Sequence, residues 1–200
     1  MRLLTLATAS LAIFSAAVYA RAETPLPPGW SNNICVQAAL SAERAYRIPD
    51  LLLTAIVAVE SRGRPWVLTT LDGDNIHSES AHAAVPHLYR GRKPRTDIAI
   101  GCAQISMTWQ LQRLDGQPER ALDPYANLRY AAEILLEFRR RERSWNAAVA
   151  RYYSSKPKHG QRYVCDVLDV YATLRHMPMT PAERAHCDAA GAKPTGIVRR

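Results

Sequence analysis

The sequence has few of the features that mark metal-binding or membrane-embedded proteins. It has only four cysteines in 200 residues, and no two of them have the C-x-x-C spacing of a zinc site. After the N-terminal segment, no apolar run is long enough for a bilayer span of about 20 residues. We therefore expect no metal ligands, no cofactor and no integral membrane span in the mature chain.

The N-terminal segment has the pattern of a secretory signal peptide. Arg2 is followed by an apolar run from Leu3 to Val18 that contains no acidic residue, and then by the small-x-small sequence Ala20-Arg21-Ala22. An uncleaved membrane anchor is the less favoured alternative, because the run is short. No cysteine lies at the cleavage site, which argues against a lipoprotein. We predict a signal peptide over residues 1–22 and export to the periplasm.

The cysteines all lie in the exported part, and their number is even. An oxidising compartment favours two disulfides, for which three connectivities are possible. The pair Cys165 and Cys187 is close in the sequence. This favours Cys165–Cys187, with Cys35–Cys102 as the remaining pair.

The charge is strongly positive, with 26 Lys and Arg against 18 Asp and Glu. Without Arg2 and Arg21 the exported part still has an excess of basic residues. Such a protein suits an anionic partner, such as the cell wall or a membrane surface. Nucleic acid is the rival partner, and export argues against it.

Most of the chain has helical periodicity. We predict helices over 34–46, over 51–60 with Asp50 as N-cap, from Asp123-Pro124 into the basic run 139–143, from Ser144 to Tyr152, and over 161–174. The segment 66–71 is rich in β-formers and precedes Asp72-Gly73, which predicts a small β-hairpin. A short helix near 80–85, stopped by Pro86, and a loop over 90–95 follow. We predict a mainly α domain over residues 23–175.

Residues 176–200 form a C-terminal extension with little periodicity. Thr180 and Glu183 have the spacing of a capping box, which is typical of a helix N-terminus. We expect this extension to be peripheral.

Glu60 is the strongest candidate for catalysis. It ends the apolar run 51–59 and shares a helix face with Leu53, Ile56 and Val57. A carboxyl group on a buried face is desolvated, which raises its pKa towards the value that a general acid needs. The alternative is a solvated glutamate at a helix end, since most glutamates lie at the surface.

Four short motifs follow one another in the chain. Glu60-Ser61 precedes the Gly-x-x-Gln motif 101–104, and Asn-x-x-x-Ala-x-x-x-Leu follows over 127–135. The last is the segment Ala148-Val149-Ala150-Arg151-Tyr152-Tyr153-Ser154, which contains an Ala-x-x-Tyr spacing. This order resembles the soluble lytic transglycosylase family. With Pro65-Trp66 and a hairpin after Glu-Ser, the chain is most similar to the branch associated with conjugation, type IV secretion and pilus machineries. The resemblance covers about residues 34–174.

The resemblance implies a lysozyme-like fold, mainly α with a small β-hairpin at the active-site groove. It implies cleavage of the β-1,4 bond between N-acetylmuramic acid and N-acetylglucosamine of peptidoglycan, with formation of 1,6-anhydro ends. Glu60 would be the sole catalytic acid and base. A hydrolase needs a second carboxylate, for which the nearest candidates are Asp72, Asp74, Glu79 and Asp97. None of the four has a convincing context, and we interpret them as loop and hairpin residues.

The resemblance also implies substrate-binding residues. Gln104 would bind sugar amide or hydroxyl groups, and Tyr152 would point its hydroxyl towards the catalytic carboxyl. Ser61 would either support the backbone turn at Glu60 or hydrogen-bond the Glu60 carboxylate. Tyr153 stands where the family usually has Asn or His, and we include it among the substrate-binding residues. Trp66 and Trp109 could stack on sugars, although single tryptophans are more often core residues.

The chain departs from the family pattern at other positions too. Ser155 stands where Gly is common, Ala99 where the secretion-linked branch often has Asp, and Tyr125 where related pilus enzymes often have Cys. None of these changes removes the acid, so we expect activity with altered sugar subsites.

Three other functions remain open. A hydrolytic muramidase would differ only in its product, and a non-catalytic scaffold would bind peptidoglycan without cutting it. The basic clusters 90–95 and 139–143 could suggest a nucleic-acid binder, but the second is also typical of a helix C-terminus. We expect a monomer that acts on peptidoglycan, with envelope secretion, conjugation or pilus components as further partners and with no nucleic acid.

Overall fold

The computed structural model describes residues 26–197, so the predicted signal peptide lies outside the described residues. Eight α-helices are described: α1 Ile34–Tyr46, α2 Leu52–Glu60, α3 Ala81–Ala84, α4 Met107–Gln110, α5 Pro124–Glu142, α6 Trp145–Tyr153, α7 Pro157–Leu174 and α8 Pro181–Ala189. Six short strands are described: β1 Val67–Thr70, β2 Asn75–His77, β3 Tyr89–Arg90, β4 Lys93–Pro94, β5 Ile98–Ile100 and β6 Ile105–Ser106. The predicted mainly α architecture is confirmed. No described helix is both long and apolar enough to cross a bilayer.

The helices form one hydrophobic core in which α2 is the most deeply placed. It packs against α1 on one side and α7 on the other, while α5 packs against α1 and α6. Leu53, Ile56 and Val57 of α2 are fully buried, as are Leu128 and Leu135 of α5. The apolar run before Glu60 therefore forms a helix because nearly every one of its side chains is removed from water.

Two of the predicted helix starts are confirmed by their side-chain caps. Asp123 accepts a 2.7 Å hydrogen bond from the Ala126 N–H, and Pro124 occupies the first turn of α5. Ser144 caps α6 in the same way. The predicted bounds of α1 are also confirmed, and α7 begins four residues earlier than predicted, at Pro157.

The predicted cap of α2 is wrong. Leu51, and not Asp50, occupies the N-cap position, with φ of 70° and no capping side chain of its own. The first turn is capped instead by Glu43 of α1, whose carboxylate accepts the Leu51 and Thr54 N–H groups at 2.8 Å each. A cap from another helix cannot be read from the residues next to the helix start, which explains the error.

The predicted hairpin is confirmed, and the structure extends it into a sheet. Antiparallel strands lie in the order β2-β1-β5-β6, with Leu68 of β1 opposite Ile76 of β2 and Ile100 of β5. Gly101 forms the bend between β5 and β6 with φ of 79°. Strands β5 and β6 were not predicted, because strands of two or three residues have too little alternation of apolar and polar residues to be detected.

Two smaller predictions between residues 80 and 95 need correction. Pro86 does not stop a helix, because it lies in the first turn of a 3₁₀ helix, Val85–Leu88, that continues α3. The segment 90–95 is not simply a loop, because β3 and β4 form a tight hairpin around Gly91. Two more 3₁₀ turns, Leu111–Leu114 and Pro118–Leu122, lie between α4 and α5 and were not predicted.

Both favoured disulfides are present. Cys35–Cys102 joins α1 to the bend after β5, and Cys165–Cys187 joins α7 to α8. The predicted capping box at Thr180 and Glu183 is confirmed at the start of α8. The Asp169 carboxylate of α7 accepts the Thr195 N–H and hydroxyl at 2.8 Å each. The C-terminal extension is therefore attached to α7 at two points.

Asn127 ties α5 to the β-sheet from a fully buried position. Its amide nitrogen donates to the carbonyl oxygens of Ile100 at 2.9 Å and Ala121 at 2.8 Å, and its amide oxygen accepts the Ala103 N–H at 2.9 Å. A Cβ atom on Gly101 would lie 2.6 Å from this amide nitrogen, so only glycine fits the bend. Asn127 thus fixes the Gly101–Ala103 segment onto α5.

We predict that Asn127→Ala lowers the free energy of unfolding by about 3 kcal/mol, because it leaves several buried backbone groups without partners. Urea denaturation measures this. The control is Asn75→Ala on the exposed hairpin, which should cost less than about 0.5 kcal/mol. Equal effects of the two substitutions would contradict the role of Asn127.

Candidate active site

Glu60 is the last residue of α2, where the buried helix reaches the protein surface. The residue is partly exposed, and partial burial of its carboxyl group raises its pKa from 4.5 to about 7. The predicted cause is therefore confirmed: the apolar helix face carries the carboxyl group out of bulk water.

Tyr163 is the direct partner of this carboxyl group. Its hydroxyl donates a 2.6 Å hydrogen bond to Oε1 of Glu60. Burial and the nearby Glu60 raise the pKa of Tyr163 well above 10, so the hydroxyl keeps its proton and remains a donor. The bond favours the ionised form of Glu60 and partly offsets the effect of burial on its pKa.

Sequence reasoning did not single out Tyr163. The side chain lies on the buried face of α7 together with Val164 and Val167, and this helix packs against α2. The available signal was a hydroxyl-bearing residue on an otherwise apolar helix face. Such a residue needs a buried partner for its hydroxyl, and Glu60 is that partner.

Tyr152 lies near Glu60 but does not hydrogen-bond to it. Its hydroxyl donates a 2.7 Å hydrogen bond to the main-chain oxygen of Ala103. Tyr152 thus joins α6 to the bend that Asn127 also binds. Burial and the nearby Glu60 carboxyl both raise the pKa of Tyr152. Tyr153 contacts the site through Tyr163, because the two rings stack with their centroids 4.5 Å apart. It is 55% exposed and covers the outer side of the Tyr163 ring.

Gln104 lies at the same bend, with φ of 50°. Its amide nitrogen donates to the main-chain oxygens of Gly101 at 2.9 Å and Val67 at 3.2 Å. Its amide oxygen is buried and has no hydrogen-bond partner among the described residues. The amide nitrogen of Gln104 is therefore fully used by main-chain oxygens, and the amide oxygen is the atom of this side chain that could still accept a hydrogen bond.

Ser61 supports the turn after Glu60. Its hydroxyl donates to the Val57 carbonyl at 3.2 Å, and its side chain is buried. Of the two predicted roles, support of the helix end is the one that this contact fits. Beyond it, the Asn33 amide donates to the Gly63 carbonyl at 2.9 Å and also caps α1, which links the turn to a second helix.

A surface groove of about 520 Å³ lies along the segment that follows Glu60. It is lined by Arg64, Pro65, Trp66, Val67, His77, Ser78 and Glu79. Trp66 is partly buried there, whereas Trp109 is 80% exposed on α4. Trp66 is therefore the better placed of the two tryptophans to contact a ligand in this groove.

The other predicted carboxylates lie in different environments. Asp72 and Asp74 are exposed in the turn between β1 and β2, and Glu79 is exposed beside the groove. Asp97 binds Arg95 through both oxygens at 3.0 Å, and this hydrogen bonding lowers its pKa. Within residues 26–197, no cluster of three or more His, Cys, Asp or Glu could hold a metal ion.

We predict that Glu60→Gln stabilises the protein at pH 8. A carboxyl group with a raised folded-state pKa contributes stability that is fully present below about pH 4.5 and is lost as the pH rises through about 7. Glutamine removes the buried charge. The melting temperature of the Glu60→Gln variant should therefore exceed that of the wild type at pH 8, and the two melting temperatures should be similar at pH 5. A variant that is no more stable at pH 8 would contradict the raised pKa.

We also predict that Tyr163→Phe raises the pKa of Glu60 further, because it removes the hydrogen bond that favours the carboxylate. Carboxyl ¹³C NMR titration, with Glu60→Gln to assign the signal, measures this. Tyr152→Phe is the matched control and should leave the pKa unchanged. The reverse pattern would make Tyr152, and not Tyr163, the residue that sets this pKa.

Comparison with known proteins gives one match. The family model described as "Transglycosylase SLT domain" matches residues 37–162, which is more than half of the chain. No curated protein matches the chain, and no solved structure does. The matched range begins in α1, ends in α7 and includes Glu60, Gln104 and Tyr152, and the observed helices and small sheet are those of a mainly α, lysozyme-like domain. The chain therefore belongs to the transglycosylase SLT domain family.

Proposed function

We propose that this protein is a peptidoglycan lytic transglycosylase in which Glu60 is the only catalytic acid and base. One observation carries the proposal: the Glu60 carboxyl has a pKa near 7 and a 2.6 Å hydrogen bond from Tyr163. Membership of the SLT family supports peptidoglycan as the substrate.

The first step needs a proton donor near neutral pH. With a pKa near 7, a substantial fraction of Glu60 is protonated in that range. Glu60 donates its proton to the oxygen that links C1 of N-acetylmuramic acid to N-acetylglucosamine. The C1–O bond breaks, the bonding electrons remain on that oxygen, and an oxocarbenium-like sugar is left.

The second step returns the proton. The Glu60 carboxylate accepts the proton of the C6 hydroxyl of the same sugar while O6 forms a bond to C1. The product is a 1,6-anhydro ring, no water is consumed, and Glu60 is protonated again. Tyr163 stabilises the carboxylate between the two steps, since its hydroxyl already donates to Oε1.

The substrate-binding assignments are narrowed by the geometry. Gln104 is bound to the sheet through its amide nitrogen and its unpartnered amide oxygen is buried, so this side chain would have to move before the oxygen could accept a hydrogen bond from a sugar N–H group. Tyr153 would offer its exposed ring edge to a sugar. Ser61 and Tyr152 would act through the backbone of the helix end and of the bend.

Hydrolysis is the second candidate reaction, and it needs another carboxylate to activate water. Glu79 is the acidic residue that favours it, because it lines the groove that follows Glu60. Asp97 is the least suited of the acidic residues to activate water, because it forms ion pairs with Arg90 and Arg95. A non-catalytic scaffold would have no need of a carboxyl group with a pKa near 7.

The basic cluster 139–143 gives little support to nucleic-acid binding. Arg139 lies over the Trp145 ring, and Arg141 pairs with Glu137 one helical turn away. Arg143 follows the end of α5 with φ of 57°, so the cluster fits a basic helix C-terminus.

The cellular setting is a further part of the proposal. The apolar N-terminal segment, the two disulfides and the basic charge favour action in the periplasm. Pro65-Trp66 and the β1–β2 hairpin favour the branch that opens peptidoglycan for a secretion, conjugation or pilus apparatus. Loss of such transport in a deletion strain, restored by the wild type but not by Glu60→Gln, would support this role.

We predict that the purified protein releases muropeptides with 1,6-anhydro ends from sacculi. Each is one water lighter than the hydrolytic product and does not react with borohydride, which mass spectrometry detects. Glu60→Gln should reduce release by at least about a thousandfold, since no second group can replace its proton transfers. Glu79→Gln should retain release.

Two results would contradict this prediction. Reducing ends that disappear in Glu79→Gln would assign hydrolysis. Undiminished release by folded Glu60→Gln would remove Glu60 from the mechanism.

A further inference from the structure

Glu43 is a buried acidic residue that the proposed chemistry does not use. It lies in the last turn of α1 and is only 2% exposed. Within residues 26–197 no lysine or arginine forms an ion pair with it. Burial raises its pKa to about 7, so its charged form is costly to the fold above neutrality.

Its carboxylate is nevertheless fully engaged, and all of its partners belong to the start of α2. Oε2 accepts the Leu51 N–H at 2.8 Å, while Oε1 accepts the Thr54 N–H at 2.8 Å and the Thr54 hydroxyl at 3.1 Å. The main-chain oxygen of Glu43 also accepts the Ile48 N–H at 3.0 Å. One residue therefore joins the end of α1, the connecting turn and the first turn of α2.

The apolar contacts of α2 are less selective for its position along its own axis than its hydrogen bonds are. Apart from Thr54, the residues of its interior are apolar, and apolar contacts have no preferred direction. Hydrogen bonds are directional, and those of Glu43 are at the beginning of the helix while the Tyr163 bond is at its end. A helix of nine residues is only about 14 Å long, so a shift at its first turn is carried to Glu60.

We infer that Glu43 is a positioning residue, whose carboxylate fixes the first turn of α2 and so holds Glu60 against Tyr163. This role rests on the acid and base function proposed for Glu60. It extends the active site to a residue of α1 at the opposite end of the helix, outside the groove.

The pKa of Glu60 reports this role without depending on activity. Its pKa is set by burial and by Tyr163, and Glu43 is not among the groups that act on it directly. A change in the Glu60 pKa on substitution of Glu43 must therefore be transmitted through the position of the helix. A residue that only adds stability would leave this pKa unchanged in the folded protein.

The test uses Glu43→Gln in the full mature protein. Glutamine places an NH₂ group against an N–H donor, so the cap is weakened while the shape is kept. Carboxyl ¹³C titration should show the pKa of Glu60 falling by about one unit. A displaced carboxyl group regains water, which lowers its pKa, and loses the Tyr163 bond, which alone would raise it. The first effect should dominate, because burial has the larger influence on this pKa. On sacculi, kcat should fall by about tenfold to a hundredfold with little change in KM.

The matched control is Glu133→Gln. Glu133 of α5 also bonds across helices, accepting the Tyr46 hydroxyl at 3.1 Å, and its other polar partner in the described part of the chain is Arg113 and not a residue of α2. It should leave both the Glu60 pKa and kcat unchanged. If Glu43→Gln does not fold, Thr54→Val replaces it in the same titration. This substitution removes only the hydrogen bond from the Thr54 hydroxyl to Glu43, so it should lower the pKa of Glu60 by a smaller amount.

An unchanged or raised Glu60 pKa in the folded variant overturns the inference. An equal fall in the Glu133→Gln control overturns it as well. If the wild type releases no sugar from sacculi, the proposed function fails, but the titration still decides whether Glu43 positions Glu60.

Discussion

The hydrogen bond between Tyr163 and Glu60 is the interaction on which the rest of the site depends. Burial alone would raise the pKa of the carboxyl group, and the tyrosine hydroxyl alone would lower it. Together they leave the group near pH 7, where it can both donate and accept a proton. The two residues come from different helices, α2 and α7, so the chemistry requires these helices to be held in a fixed relation.

That relation is maintained by buried polar contacts at the edges of the core. Glu43 holds the beginning of α2, and Tyr153 covers the ring of Tyr163 on α7. The bend after β5 is bound from α5 by Asn127 and from α6 by Tyr152. Most polar residues of the SLT motifs therefore have a structural role, because they bind the main chain of this bend. Glu60 is the motif residue to which we assign the proton transfers.

The sequence predicted the helices well because their apolar periodicity and caps are local. The position of Glu60 at the end of a buried helix, and the raised pKa that follows, could be predicted for the same reason. The partner of Glu60 could not, because Tyr163 reaches it across 103 residues of chain, and the motif tyrosine Tyr152 was assigned that contact instead. The cap by Glu43 was missed for the same cause: it is a tertiary contact that neighbouring residues do not reveal.

The most direct test of this account is the ionisation of Glu60 in the wild-type protein. Carboxyl ¹³C NMR should show a signal that titrates near pH 7 and that disappears in Glu60→Gln. A Glu60 signal that titrates near 4.5, the ordinary value for glutamate, would contradict the account, because such a carboxyl group could not act as the acid at neutral pH.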